Sequence, residues 1–571
     1  HFNSRDPKLM SKKVDIEIPL GKRTFKYRFF EILPAFLSFG AIILMFILSA
    51  FSPFLASLYL LTIITTLLVK AIGIAYRMIT GHLQIEKAQK VDWNKRLNEF
   101  ESAEKSLDIL KNQRNNEYEF KNHLRNLNDI IKNPASFPKP SNVKNAVIIA
   151  AYNEPYEVIQ PTVQSVLASN YDAKNLLIFL AYEERGGEEI EKTAIRLKKE
   201  FSKSFGAFEI VKHPKNLPNE VVGKGGNITF AGRALQKYCE NNKITFENVL
   251  VTTLDSDNKP HKEYFACATY SFIVHEDRKK LSYQPVSLFL NNIWDVPAPM
   301  RVVATGNSFW NIVSTMRPHL LRNFASHSQP LDALVEMDFW STRTIVEDGH
   351  QFWRSYFHFG GDYYVVPIRV PIYQDAVLSE TLPKTLKAQF IQLRRWMYGA
   401  SDIPYVANLY FSKNRNVPIV DGLMKLIRLI DGHVTAVFQS PMAAFGGWVP
   451  LIVYAASSRS VIVHQLPNVI STLQQVATVG IFITILISLK MLPPRPERYK
   501  KRRSLWMVAQ WVYMPVTSIC YNAAAAAYSQ TRLAFGKYLD KFDVTEKGRI
   551  EDVERAKAER AKKRALKKKK K

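Results

Sequence analysis

A chain of 571 residues with 47% hydrophobic content exceeds a small single-core domain, and its formal net charge of +27 rests on 78 Lys and Arg against 51 Asp and Glu. The positive charge collects at the N-terminus, beside apolar runs and in the tail from Lys557 to Lys571, which is the placement of a topology signal and of attraction to membrane lipids. No nucleic-acid motif accompanies it, so no nucleic-acid partner is expected, and Cys239, Cys267 and Cys520 lie too far apart for paired metal spacing and read as free thiols in a reducing compartment.

Behind a basic segment over 1–30, the region 31–72 holds two uncharged apolar runs, Ile32 to Phe51 and Phe54 to Val69, separated by Ser52-Pro53. Each approaches the roughly 20 residues that cross a bilayer, and the pair is too long and too closely spaced for a cleavable signal. Lys22, Arg23, Lys26 and Arg28 before the pair, with Lys70 and Arg77 after it, predict a cytoplasmic start, an outward hairpin and a cytoplasmic return. The region 73–140 is polar, and Leu97, Phe100, Leu107, Leu110 and Phe120 recur at broadly helical intervals, which predicts a solvent-facing helical spacer. Asn133-Pro134 through Pro140 ends it.

From 141 to 420 the pattern alternates strand and helix, the signature of a parallel α/β sheet. Ala146 to Ala150 is a buried strand, and Tyr152-Asn153-Glu154-Pro155 turns from it into a helix. Leu176 to Ala181 is a second strand, ending at Glu183-Glu184, and Asn248 to Leu254 is a third that delivers Asp255-Ser256-Asp257. Ligands of open parallel sheets bind at the carboxyl ends of strands, so these segments lie where a nucleotide would sit.

Two carboxylates two residues apart, Asp255 and Asp257, can face one hard divalent cation that also bridges a diphosphate, although such a tripeptide also serves as a turn or cap. Lys224 in Gly223-Lys224-Gly225-Gly226-Asn227 is expected on a flexible glycine loop, able to meet a phosphate or base. Glu347-Asp348 follows Phe339-Trp340 and offers either a general base for an acceptor hydroxyl or an acidic helix start. Gln392-Leu393-Arg394-Arg395-Trp396 reads as a helical segment whose aromatic face stacks on a sugar while guanidinium groups grip a diphosphate, or as an interfacial helix with snorkelling arginines.

The region 421–534 carries apolar runs at about Leu423 to Tyr454, Val469 to Leu489 and Leu505 to Tyr528. Lys500 to Arg503 and the basic tail are both expected on the cytoplasmic side, which favours one span containing Pro441, one return span and a re-entrant or interfacial third segment kinked at Pro515. The last region, 535–571, contains Phe542-Asp543-Val544-Thr545-Glu546-Lys547-Gly548 before a charged helix.

The ordered set Tyr152-Asn153-Glu154, Lys224-Gly225-Gly226-Asn227, Asp255-Ser256-Asp257, Glu347-Asp348 and Gln392 to Trp396 resembles the membrane-embedded family 2 glycosyltransferases, which include cellulose, hyaluronan, chitin and curdlan synthases. Phe542 to Gly548 is similar to the gating loop of bacterial cellulose synthases, and the resemblance spans about 30 to 550. It implies a Rossmann-like GT-A catalytic domain in the cytoplasm, framed by N- and C-terminal transmembrane helices of a plasma-membrane protein. It also implies inversion and a nucleotide-sugar donor, a UDP-sugar by family habit. Carried over by position, Asp257 and Asp255 would hold Mg or Mn, and Asp348 beside Glu347 would be the base. Tyr152, Asn153, Glu154, Glu183, Lys224, Asn227 and Asp255 would border the donor, with Gln392, Arg395 and Trp396 lining the donor and acceptor pocket. Thr545 and Lys547 would close over the nucleotide. Glu183-Glu184 stands where the family carries aspartates at the base, which leaves uridine specificity less secure than the reaction. The expected activity is sugar transfer to a growing polysaccharide, with a lipid glycosyltransferase making a glycolipid as the alternative. A decayed membrane scaffold is disfavoured because the acidic and Gln/Arg/Trp motifs remain intact.

Overall fold

The computed structural model describes residues 14–113, 115–541 and 548–569. Strands β1 (Lys144–Ala151), β2 (Leu176–Glu183), β3 (Ala207–His213), β4 (Val249–Asp255), β5 (Lys259–Pro260), β6 (Leu281–Leu288), β7 (Ser328–Pro330) and β8 (Tyr364–Tyr373) join in one sheet ordered β3-β2-β1-β4-β7-β6-β8-β5. The first four pair in parallel, β7 runs antiparallel between β4 and β6, and β6 pairs in parallel with β8. A strand covered on both faces needs apolar residues throughout, and β2 is buried at every position. Successive side chains take opposite faces: Val147, Ile149 and Leu180 join one core, while Ala146, Ile148 and Phe179 join the other with Ile228, Ala231 and Leu235 of helix Lys224–Asn241. Ala150 lies opposite both Ala181 and Asp255, so β1, β2 and β4 end nearly level and present their carboxyl ends together. This is the GT-A-like α/β fold.

The spacer expectation for 73–140 is corrected. Helix Pro53–Gln89 continues far past the second apolar run; at 1.5 Å per residue its 37 residues span about 55 Å, more than a bilayer core requires. Its distal end joins the catalytic domain: Met78 and Ile85 are buried against the core beside β6, and a Cβ on Gly81 would come within 2.7 Å of Ile312 Cγ2. Helices Trp93–Glu101, Ala103–Leu110 and Phe120–Lys132 then pack on the sheet domain, with Leu97, Phe100, Leu110 and Phe120 buried and the Phe100 ring stacked on Tyr270 at 4.9 Å. Those apolar residues face a neighbouring helix instead of water, a choice that helical periodicity alone does not make.

Among the described residues, four helices are long and apolar enough to cross a membrane: Phe25–Phe51, Pro53–Gln89, Ile419–Val453 and Val461–Met491. Phe36, Ile43, Phe46, Leu58, Phe482 and Leu486 are exposed on their outer faces. The last apolar run is broken into Arg502–Ala509, a 3-10 turn at Gln510–Tyr513, Met514–Thr517 with Pro515, a π-turn at Ser518–Ala523 and Ala524–Ala534. Proline removes a backbone donor and a π-turn widens the helix, which accounts for the interruption.

Candidate functional site

The level strand ends place Asp255 at the close of β4, and Asp257 follows it, largely buried, with its Oδ2 accepting from the Asp375 backbone N–H at 3.2 Å. The Ser256 carbonyl between them accepts from the Thr162 hydroxyl at 2.7 Å, holding the turn against helix Tyr156–Leu167. Lys224, expected on a flexible loop, is the first residue of helix Lys224–Asn241. Glycine is required beside it: a Cβ at Gly225 would come within 2.3 Å of the Ser341 carbonyl oxygen. The Lys224 ammonium lies 2.9 Å from Asp255 Oδ1, 3.3 Å from Asp348 Oδ2 and 3.9 Å from Glu347 Oε1. Burial opposes its charge, but the Asp255, Asp348 and Glu347 carboxylates outweigh that and raise its pKa.

Glu347 and Asp348 form the first turn of helix Glu347–His358, the acidic helix start, with the carboxylates at the positive end of the helix and within reach of the Lys224 ammonium. Burial and then the Asp348 charge push the Glu347 pKa up to about 8 against the opposing pull of Lys224. His327, absent from the sequence reading, lies 3.8 Å from Asp348 Oδ1. Its Nε2 accepts from the Trp340 indole at 3.1 Å, which assigns the proton to Nδ1, directed to the Phe324 carbonyl at 2.9 Å. Burial lowers its pKa, consistent with that neutral tautomer.

The other expected residues divide. Tyr152, Glu154, Glu183, Lys224, Asn227, Asp255, Asp257, Glu347, Asp348, Gln392, Arg395 and Trp396 all border one continuous cavity of about 1200 Å³. Glu154 caps its own turn by accepting from the Tyr152 N–H at 2.7 Å, and the exposed Asn153 does not line the cavity. Asn227 donates to the Ala151 and Ala181 carbonyls at 3.3 and 3.1 Å, bracing the ends of β1 and β2. Glu183 is ion-paired with Arg185 and lies 3.4 Å from His213 Nδ1, whose Nε2 is 3.1 Å from Glu220. Gln392, Arg395 and Trp396 stand on helix Leu382–Met397; Trp396 is 37% exposed, with its ring 5.8 Å from Phe289, while Arg394 turns to the Tyr528 ring at 5.4 Å. Thr545 and Lys547 lie outside the described residues; the flanking Lys541 bridges to Val222 and borders the cavity.

The cavity does not stop at the sheet. Past Trp396 and Arg322 it is bordered by Gln439 and Ser440 of helix Ile419–Phe445, Thr484 of helix Val461–Met491, and Thr517, Ser518 and Asn522 of the broken segment. At the junction His350 Nδ1 is 2.6 Å from Asp402 Oδ1, a buried pair that sequence reasoning missed because 52 residues separate the partners.

Residues 250–527 match the family model described as Glycosyl transferase family group 2. Among solved structures, a mannosyltransferase from Pyrobaculum calidifontis in complex with GDP-Man and Mn2+ is 14% identical, covering 81% of this chain and 99% of its own, with a TM-score of 0.41. TarS of S. aureus is 10% identical, covering 57% of this chain and 53% of its own at a TM-score of 0.32. Its 1–349 fragment in complex with UDP-GlcNAc is also 10% identical, covering 71% of this chain and 98% of its own at 0.32. No curated protein matches the chain. Over the matched residues, which carry Asp255, Asp348 and the Gln392 to Trp396 helix, this chain is similar to the glycosyltransferases of family group 2.

Proposed function

We propose that the protein transfers sugar units, with inversion, from a nucleotide-sugar donor to a growing polysaccharide that leaves through the membrane helices. The observation that carries this reading is the single cavity running from Asp255 and Asp348 to the polar side chains of Gln439, Ser440 and Thr484 on helices long enough to cross a membrane. A glycan needs hydroxyl partners along its path, and polar groups on such helices are costly unless they face a wet cavity. Basic residues at both ends of the first helical pair favour a cytoplasmic catalytic domain.

Asp348 is the base: its Oδ1 accepts no hydrogen bond among the described residues, and it faces the cavity where an acceptor hydroxyl would lose its proton during displacement at the anomeric carbon. Asp255 and Asp257 fit a magnesium or manganese ion, which takes one or two carboxylates and completes its shell with diphosphate and water. No cluster of three ligating side chains occurs among the described residues. When bound, such an ion would neutralise the departing diphosphate. Lys224 and Arg395 add fixed positive charge there, and Trp396 offers its face to the acceptor sugar.

The test is transfer by the purified protein in lipid nanodiscs, supplied with labelled UDP- and GDP-sugars with and without EDTA. A high-molecular-weight glycan that requires divalent cation is expected. A product confined to a single sugar on lipid would replace the polymer reading with the glycolipid one.

A further inference from the structure

Arg322 is the unusual charge of this molecule. It borders the cavity two residues before Phe324, whose carbonyl holds His327 beside Asp348. On its other side lies Asp402, and the cavity continues there to His433 of helix Ile419–Phe445. Burial lowers the pKa of Arg322, with only the Asp402 charge opposing. Yet the guanidinium makes no hydrogen bond or ion pair among the described residues; its one recorded contact is the Trp353 ring, 5.8 Å away.

The fully buried arginines differ. Arg301 donates to Gln510 and to the Val296 carbonyl, and Arg354 pairs with Glu17 and donates to the Met337 carbonyl. Each of them ties elements together. A half-buried guanidinium that lines a cavity without such partners is left with its donors free for an anion that enters the cavity. Asp402 does not fill that place: no hydrogen bond or ion pair joins it to Arg322 among the described residues, and its Oδ1 lies 2.6 Å from His350 Nδ1.

Resting on the polymer reading above, we infer that Arg322 is an acceptor-recognition residue that binds the carboxylate of an acidic sugar unit near the growing end of the glycan. A planar guanidinium grips a carboxylate through two parallel hydrogen bonds, so the site would read charge and orientation together. A sugar is favoured over a lipid phosphate by the neighbouring surface: Asn323 and Thr435 offer polar groups and Trp310 an aromatic face, which suit hydroxyls and a ring. Arg322 thus selects the acceptor and takes no part in the chemical step.

The experiment is equilibrium binding to the full chain in nanodiscs, with three probes: a glucuronate-containing tetrasaccharide, its neutral glucose counterpart, and geranyl phosphate. The acidic tetrasaccharide should bind about tenfold or more tighter than the neutral one; Arg322→Gln should bring the two within about twofold, and Arg322→Lys should keep part of the preference. Equal binding of acidic and neutral probes to the unaltered protein overturns the inference, as does a preference that survives Arg322→Gln. Tighter binding of geranyl phosphate than of the acidic sugar overturns it in favour of a lipid phosphate. Because the unaltered protein carries the first comparison, a poorly folding variant does not remove the test. Donor-dependent transfer measured on the same samples separates the two readings: transfer without an acidic preference sinks the role of Arg322 alone, whereas no transfer from any donor sinks the proposed function.

Discussion

The densest chemistry sits where three carboxylates share one ammonium: Lys224 faces Asp255, Asp348 and Glu347 within 4 Å, so removing one partner changes the charge felt by the others. Asp348→Asn keeps the shape and removes the proposed base; transfer should fall by about 10² or more while donor affinity changes little, measured as kcat against the donor Kd. Transfer at the normal rate would remove Asp348 from that role. His213 offers a pH test away from the reaction centre. Burial works against its charge, but hydrogen bonds with Glu183 and Glu220 and their negative charges raise its pKa from 6.5 to about 9. A value raised on folding means that the stabilisation is complete below about 6.5 and is lost as pH rises through about 9. His213→Gln should therefore lower the Tm by about 2–4 °C at pH 6 and by much less at pH 10; an equal loss at both would show that the imidazolium charge contributes nothing. Asp255, Asp257, Glu347 and Asp348 were legible because each lies beside its own strand end or helix start. His327, Asp402 and Arg322 were not, since their meaning comes from neighbours distant in sequence.

Among the elements, the clearest difference between expectation and structure is the helical region after the second apolar run. Its periodicity identified helices, but an apolar stripe does not say what covers it. Helix Tyr264–Val274 supplies the cover, through Tyr270 against Trp93 and Phe100. Phe100→Ala should destabilise the catalytic domain by about 3–5 kcal/mol, read as a lowered denaturation midpoint; a change below about 0.5 kcal/mol would return this helix to the role of a spacer. The segment 542–547 lies outside the described residues, yet its flanks touch the domain: Lys541 bridges to Val222, beside Gly223 and Lys224, and the Gly548 N–H donates to the Leu378 carbonyl at 2.9 Å. If the segment closes over bound nucleotide, truncation after Lys537 should abolish transfer while the protein still inserts and folds, and truncation after Asp552 should be tolerated. Equal activity of the two shortened chains would make the segment a linker.

Across the whole molecule, the sheet domain and three of the long apolar helices, Pro53–Gln89, Ile419–Val453 and Val461–Met491, matter to one another because a single cavity is lined by all of them. Gln439 borders that cavity on helix Ile419–Phe445, away from the carboxylates. Gln439→Trp should narrow the route and shorten the product severalfold, while transfer to a short soluble acceptor falls far less; unchanged product length on a sizing gel would exclude passage there. By itself the sequence determined the elements and their order: apolar runs of membrane length, buried strands, and acidic groups at strand ends and a helix start. Each of these follows from residues adjacent in the chain, where hydrophobic period and backbone geometry act directly. Only the tertiary structure decided that Lys224 meets Asp348 across 124 residues, that the helices after the second apolar run pack into the core of the sheet domain, and that Arg322 borders the cavity without an ionic partner among the described residues. Those outcomes depend on long-range packing, in which the burial of one surface fixes which distant side chains share a low-dielectric space, and no local pattern encodes that pairing.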